Sequence, residues 1–128
     1  MSDLIIEATS KTPGIEFKTD TQTLVLNGRS IPENAAEFYT PVFEWLDHHL
    51  ASVSALQTLE IRLEYFNTSS SKSLLDIMRR YQKAVAQNQL SVKVVWCYES
   101  DDEDMQEAGE DYCAITGLDF EYLPTDKL

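Results

Sequence analysis

Leu56-Gln57-Thr58-Leu59-Glu60-Ile61-Arg62-Leu63-Glu64-Tyr65-Phe66 runs straight into Asn67-Thr68-Ser69-Ser70-Ser71-Lys72, and the reading of that join decides the fold. The first part holds apolar residues at 59, 61, 63 and 65, the period of two that buries one face of a β-strand. Beyond the join, Leu74, Met78, Tyr81 and Val85 mark a helix face, with Leu75 and Ile77 beside it, while Lys72, Arg79, Arg80 and Lys83 take the remaining surface. A strand therefore ends and a helix begins within a few residues, and four consecutive hydroxyl side chains, Thr68 to Ser71, sit on the seam.

The pattern repeats downstream. Ser91-Val92-Lys93-Val94-Val95-Trp96-Cys97-Tyr98 is apolar enough for a central strand. Met105, Ala108, Tyr112 and Ile115 then give a helical stripe, acids at its start complement the helix dipole, and Gly117 is a natural stop. Phe120-Glu121-Tyr122-Leu123 alternates once more before Pro124 ends it. Upstream, Leu4 to Ala8 reads as a short first strand. Ile15 to Lys18 and Thr23 to Asn27 alternate on either side of a short polar connection, a hairpin signature, with Asn27-Gly28 closing the third strand.

Between that hairpin and the central strand, Pro32-Glu33-Asn34 opens a helix of roughly four turns at the usual rise per residue, carried by Phe38, Val42, Trp45 and Leu46 and widened by Tyr39, Phe43 and Leu50. Pro41 either kinks this helix or splits it, with Thr40 capping a second segment. His48 and His49 fall near its end, where a cation suits the dipole; as adjacent residues they point in different directions and make no metal pair. The order is β-β-β-α-β-α-β-α-β. It implies a single α/β domain spanning residues 1–128, with an antiparallel hairpin followed by parallel or mixed pairing through right-handed crossovers.

Charge narrows the function. Ten basic against twenty-two acidic residues leave a net charge of −12, which excludes nucleic acid or an anionic membrane as the main partner and favours a protein. The start, Met1-Ser2-Asp3, lacks the basic region of a signal peptide, and no apolar run approaches the roughly 20 residues of a membrane span. Cys97 and Cys113 have no metal-ligand spacing and read as reduced structural thiols in a cytoplasm.

Two stretches carry chemistry. The hydroxyl seam suits a phosphate, because backbone N–H groups at a helix start are unpaired and the dipole is positive there. The same residues suit plain capping, worth about 1 kcal/mol over alanine, although a cap needs one such residue and Asn67 to Ser71 supplies five. The acid run Asp101-Asp102-Glu103-Asp104 fails the calcium-loop pattern, since Met105 and Gln106 fall where a ligand and a glycine are required. It reads as a solvated acidic helix start, with magnesium through one or two carboxylates as the other reading. There is no Gly-rich phosphate loop, no Gly-x-Ser-x-Gly elbow and no Cys-x-x-Cys. These absences point to a substrate or binder with no catalytic residues, no cofactor and no metal.

Lys11-Thr12-Pro13 before the hairpin, and Ile31-Pro32-Glu33 followed by Phe38-Tyr39-Thr40-Pro41 and Glu44-Trp45-Leu46, are the first half of a wider pattern. Its second half is Tyr65-Phe66-Asn67-Thr68-Ser69-Ser70-Ser71-Lys72 and the stretch from Tyr98-Glu99 through Asp101-Asp102-Glu103-Asp104-Met105 to Ala108-Gly109-Glu110-Asp111. In these stretches, over nearly its full length, the chain resembles the SiaC family of bacterial regulatory phosphoproteins, small single domains with a STAS-like fold akin to anti-sigma-factor antagonists. The resemblance implies a dedicated protein kinase acting on the threonine of the Asn-Thr-Ser-Ser motif, here Thr68, and a PP2C-like phosphatase reversing it. It further implies that the unphosphorylated form binds and activates a diguanylate cyclase, raising cyclic di-GMP and favouring aggregation or biofilm. A STAS-type antagonist acting on transcription shares the phosphorylation chemistry, and a metal-dependent enzyme using Asp101 to Asp104 is the remaining alternative. The expected partner contacts are the exposed face of the helix after Thr68, with Arg79, Arg80 and Lys83, and the acidic helix with Asp101, Asp102 and Asp104.

Overall fold

In the computed structural model, which describes residues 4–88 and 90–128, the chain runs through β1 (Ile5–Ile6), β2 (Gly14–Lys18), β3 (Thr23–Ser30), α1 (Ala35–Leu50), β4 (Gln57–Phe66), α2 (Thr68–Asn88), β5 (Val92–Glu99), α3 (Glu103–Thr116) and β6 (Asp119–Thr125). This is the element order read from the sequence. The strands form one mixed sheet in the spatial order β1-β2-β3-β4-β5-β6. The short β2–β3 connection can only reverse the chain, so Ile15 faces Leu26 and Phe17 faces Leu24 in the expected antiparallel hairpin. From β3 onward each connection carries a helix long enough to return the chain, and β3–β4, β4–β5 and β5–β6 are parallel.

Crossovers of one hand, each stepping one strand along, leave their helices on one face of the sheet. Alternate strand residues meet them there: Leu24 and Leu26, then Leu59, Ile61 and Leu63, then Val94 and Trp96 share one core with Tyr39, Val42 and Leu46 of α1, Leu74, Ile77 and Tyr81 of α2, and Met105 and Tyr112 of α3. The opposite face mixes charged residues with a few buried apolar ones. Its row across the strands is Glu16, Val25, Glu60, Val95 and Glu121, with ion pairs Arg62–Glu60 at 3.5 Å and Lys93–Glu121. Cys97 points to this side yet is buried, its Sγ accepting from Arg62 Nη1 at 3.4 Å, and burial pushes its thiol pKa up.

Tertiary packing changed several local readings. α1 is one continuous helix with Pro41 inside it, and the Thr40 hydroxyl donates back to the Ala36 carbonyl at 2.7 Å, so Thr40 caps nothing. His49 is no helix-end cation. It is buried, stacked on Trp45 with ring centroids 4.5 Å apart and bonded through Nε2 to Gln57 Oε1 at 2.9 Å, and burial lowers its pKa. β3 does not close at Gly28 but continues to Ser30; Gly28 takes a φ of 101° that favours glycine, and the register with β4 shifts there, Gly28 pairing with Leu63 and Arg29 with Tyr65. The shift skips Glu64 and inverts the alternation, so Tyr65 is exposed while Phe66 turns inward against Trp96 and Tyr112. Val85 lies at the exposed margin of α2, whose buried stripe runs on to Ala84 instead.

α3 is rotated relative to its expected stripe. Ile115 is half exposed, and the buried line is Met105, Gly109, Tyr112 and Thr116. The cause is Gly109, where a Cβ would stand 2.6 Å from the Trp96 ring: the helix seats its glycine on that indole, whose Nε1 donates to the Met105 carbonyl at 2.9 Å. β6 runs through Pro124 to Thr125, since an edge strand tolerates a residue without an N–H on its open side. Among the described residues no helix is long and apolar enough to cross a membrane.

Candidate functional site

α1, α2 and α3 each begin where a parallel strand ends, so the three helix starts gather at the carboxyl edge of the sheet. At the middle one, Asn67 is the cap. Its Oδ1 accepts from the Ser70 N–H at 2.9 Å, its carbonyl accepts from the Ser71 N–H at 3.0 Å, and its own N–H donates to the Ser30 carbonyl at 3.0 Å. Capping therefore uses Asn67 and leaves the hydroxyls after it to other roles.

The four hydroxyls have different surroundings. Ser70 is fully buried and donates to the Ser30 carbonyl at 3.0 Å. The Ser71 hydroxyl donates to the Thr68 carbonyl at 2.7 Å, and that of Ser69, although exposed, donates to the cap oxygen of Asn67 at 3.2 Å. Thr68, the first residue of α2, is exposed and its hydroxyl makes no hydrogen bond among the described residues. The first turn of α2 contains no acidic residue, so no carboxylate caps its partial positive charge from within that turn; Glu33 and, further along α2, Asp76 line the groove beside it. Lys72, exposed and one turn on, stands on the same side as Thr68. A groove of about 670 Å³ opens beside them, with Glu33, Asn34 and Phe43 across from Thr68 and Lys72.

The corner is held from three sides. β3 contributes Ser30 and α1 contributes Tyr39, whose hydroxyl lies 2.7 Å from Ser30 Oγ. Tyr112 of α3 donates its hydroxyl to the Ser71 carbonyl at 2.8 Å. Burial raises both phenols, Tyr39 to about 12 and Tyr112 further, so both stay protonated donors across the physiological range. Ser30, Tyr39 and Tyr112 were not singled out as site residues from the sequence. A tyrosine on an apolar helical stripe is itself a signal, because a buried phenol needs a partner for its hydroxyl.

The remaining expected contacts divide. Arg79, Arg80 and Lys83 lie eleven or more residues along α2 from Thr68, about 16 Å or more at the helical rise, so the structure does not gather them at the corner. Arg80 is occupied in holding α2 on α1: its Nε meets Asp47 Oδ1 at 2.9 Å and its guanidinium lies 4.3 Å from the Phe43 ring centre. Arg79 donates to Gln82 Oε1 at 2.8 Å, while Lys83 is exposed. Asp101 and Asp104 are exposed, and Asp102 is the cap of α3, its Oδ1 accepting from the Met105 N–H at 3.0 Å. Among the described residues no three His, Cys, Asp or Glu side chains stand close enough to hold a metal.

The model of the SiaC family of regulatory phosphoproteins matches residues 6–125. The chain belongs to this family. Its similarity extends to an uncharacterised protein of Pseudomonas aeruginosa strain UCBPP-PA14, 35% identical over 112 residues and covering 88% of each chain. Apo-SiaC of Pseudomonas aeruginosa superposes with a TM-score of 0.86 at 32% identity, over 96% of this chain and 99% of that one. A chain from the crystal structure of the diguanylate cyclase SiaD with its activator SiaC, also of Pseudomonas aeruginosa, gives 0.88 at 31% identity, over 96% and 100%. The SiaC-family sheet and its three crossover helices thus place the hydroxyl corner on a scaffold shared with an activator protein.

Proposed function

We propose that this chain is a partner-switch regulator of cyclic di-GMP synthesis: unphosphorylated, it binds and activates a diguanylate cyclase, and phosphorylation of Thr68 releases it. The observation that carries the reading is the full-length likeness to SiaC as found with the cyclase it activates. A cognate kinase writes the phosphate and a PP2C-like phosphatase removes it, both in the cytoplasm, and the chain itself contributes no catalytic group.

The choice of Thr68 draws support from its free, exposed hydroxyl beside three engaged serines. A phosphate there adds about −1.5 to −2 charges to a chain already at −12. At a helix start without a competing acid in its first turn, and one turn from Lys72, the dianion is stabilised in place, so the two states differ in surface charge without refolding. A partner seated on the corner then meets buried like charge or unpaired phosphate oxygens, and every 1.4 kcal/mol of that cost is about tenfold in affinity.

The test is intact-mass measurement of wild type and Thr68→Ala recovered from the native organism, with capture of bound proteins from the same cells. The expected result is phosphate on wild type alone and a diguanylate cyclase held by the unphosphorylated protein. Undiminished phosphate on Thr68→Ala rejects the acceptor, and recovery of a sigma-factor regulator in place of a cyclase rejects the output.

A further inference from the structure

Beneath the corner, three fully buried side chains from three elements form a directed chain of hydroxyls. Ser70 Oγ spends its proton on the Ser30 carbonyl at 3.0 Å. Ser30 Oγ donates to Ser70 Oγ at 2.8 Å. With both serine protons placed, the 2.7 Å contact between Tyr39 and Ser30 is the phenol donating to Ser30 Oγ. Ser30, Tyr39 and Ser70 are each 0% exposed, so none of these bonds has water as a substitute. The Ser30 carbonyl also takes the Asn67 N–H at 3.0 Å, so one residue at the end of β3 fixes both the cap and the third residue of α2.

That arrangement sets the rotation of the first turn of α2. Successive residues of an α-helix are about 100° apart, so a residue two positions away lies about 160° round the axis. Ser70 anchored against the core puts Thr68 almost opposite, facing outward, with Ser69 and Ser71 to either side. We infer that Ser30, Tyr39 and Ser70 are positioning residues that select Thr68, among four adjacent hydroxyls, as the one presented for modification. The inference rests on the reading of Thr68 as the phosphate acceptor. What enforces the choice is a hydroxyl chain in the core, remote from any enzyme that acts on the surface. Without the anchor the first turn keeps its Asn67 cap and the Tyr112 bond but loses its side-chain tie to β3, and Ser69, already exposed, competes for the enzyme.

The test is site-resolved mass spectrometry of the full chain expressed in its native organism, comparing wild type with Ser70→Ala and Tyr39→Phe. The ratio of phosphate on Thr68 to phosphate on Ser69 is the readout. It is expected to fall about fivefold or more in Ser70→Ala, which removes both bonds of Ser70 Oγ, and by less in Tyr39→Phe, which removes one. Tyr39→Phe removes an oxygen and no carbon, so it decides the matter if Ser70→Ala fails to fold. Leu46→Ala, which weakens the core away from the hydroxyl chain, is expected to keep the wild-type ratio. An unchanged ratio in the folded Ser70→Ala and Tyr39→Phe proteins, or an equal shift in Leu46→Ala, overturns the positioning role and leaves Thr68 as acceptor. Phosphate absent from Thr68 in wild type overturns the acceptor reading, and this inference with it.

Discussion

The starts of α2 and α3 are built alike and charged differently. Each follows a parallel strand, and each has a capping side chain that accepts from the N–H three residues on, Asn67 from Ser70 at 2.9 Å and Asp102 from Met105 at 3.0 Å. At α3 the cap is itself an acid, and Glu103 and Asp104 occupy the first turn; α1 likewise carries Glu37 in its first turn. α2 has none. In a chain with twenty-two acidic residues this gap is informative. A fixed carboxylate permanently satisfies the positive end of a helix, whereas a hydroxyl leaves that end open to the phosphate proposed for Thr68.

The largest effect is expected from the phosphate itself. Stoichiometric phosphorylation of Thr68 is expected to weaken binding to the diguanylate cyclase by about a hundredfold, roughly 2.7 kcal/mol, in a calorimetric titration. Thr68→Asp is expected to reproduce part of that loss, since one carboxylate carries less charge and fewer acceptor oxygens. Equal affinity for the phosphorylated and unmodified proteins removes the functional half of the contrast.

Next comes the seating of α3. Gly109→Ala puts a methyl group 2.6 Å from Trp96. It is expected to cost about 1–3 kcal/mol in urea unfolding, because the indole is fully buried and cannot swing away. An unperturbed variant means that α3 is not fixed by that contact, and its start is then no static reference for α2.

The caps are expected to be equivalent. Asn67→Ala and Asp102→Ala should each lose about 1 kcal/mol. A much smaller loss at Asn67 means that the Ser30–Ser70 bonds hold the turn without its cap. The smallest effects test the charges directly. Ser69→Glu, placing a fixed acid at the exposed start of α2, is expected to stabilise the chain by about 0.3–1 kcal/mol at low salt, and Glu103→Gln to destabilise it by a similar amount. Both effects should fade as salt is raised. If Ser69→Glu destabilises, carboxylates beyond the first turn, such as Glu33 and Asp76, already offset the positive end of α2.

Much of the fold was legible because its signals are local. Alternation through β4, helical spacing after Lys72 and the polar connection of the hairpin each lie within one element, and they gave the order of strands and helices correctly. Readings failed where a distant contact chose between adjacent faces. Tyr65 and Phe66 exchanged places at a register shift between β3 and β4, and Ile115 lost its place in the core to Gly109 because of Trp96 on β5. The packing of Arg80 on Asp47 and Phe43 of α1 likewise has no local sequence signal. At the candidate site, the run of hydroxyls was visible at once, while the engagement of Ser69, Ser70 and Ser71 was not.

What the sequence determined by itself is the kind of place the β4–α2 corner is: a helix start rich in hydroxyls and free of acids, in a chain too acidic for nucleic acid. Composition and spacing suffice for that, since they set propensity, dipole and net charge. Which hydroxyl stands free was decided only by the tertiary structure. Ser70 is anchored by Ser30, forty residues earlier, and by Tyr39 through it, and a contact over that distance leaves no mark in local periodicity. Burial makes those bonds obligatory, and the geometry of one helical turn then turns Thr68 outward.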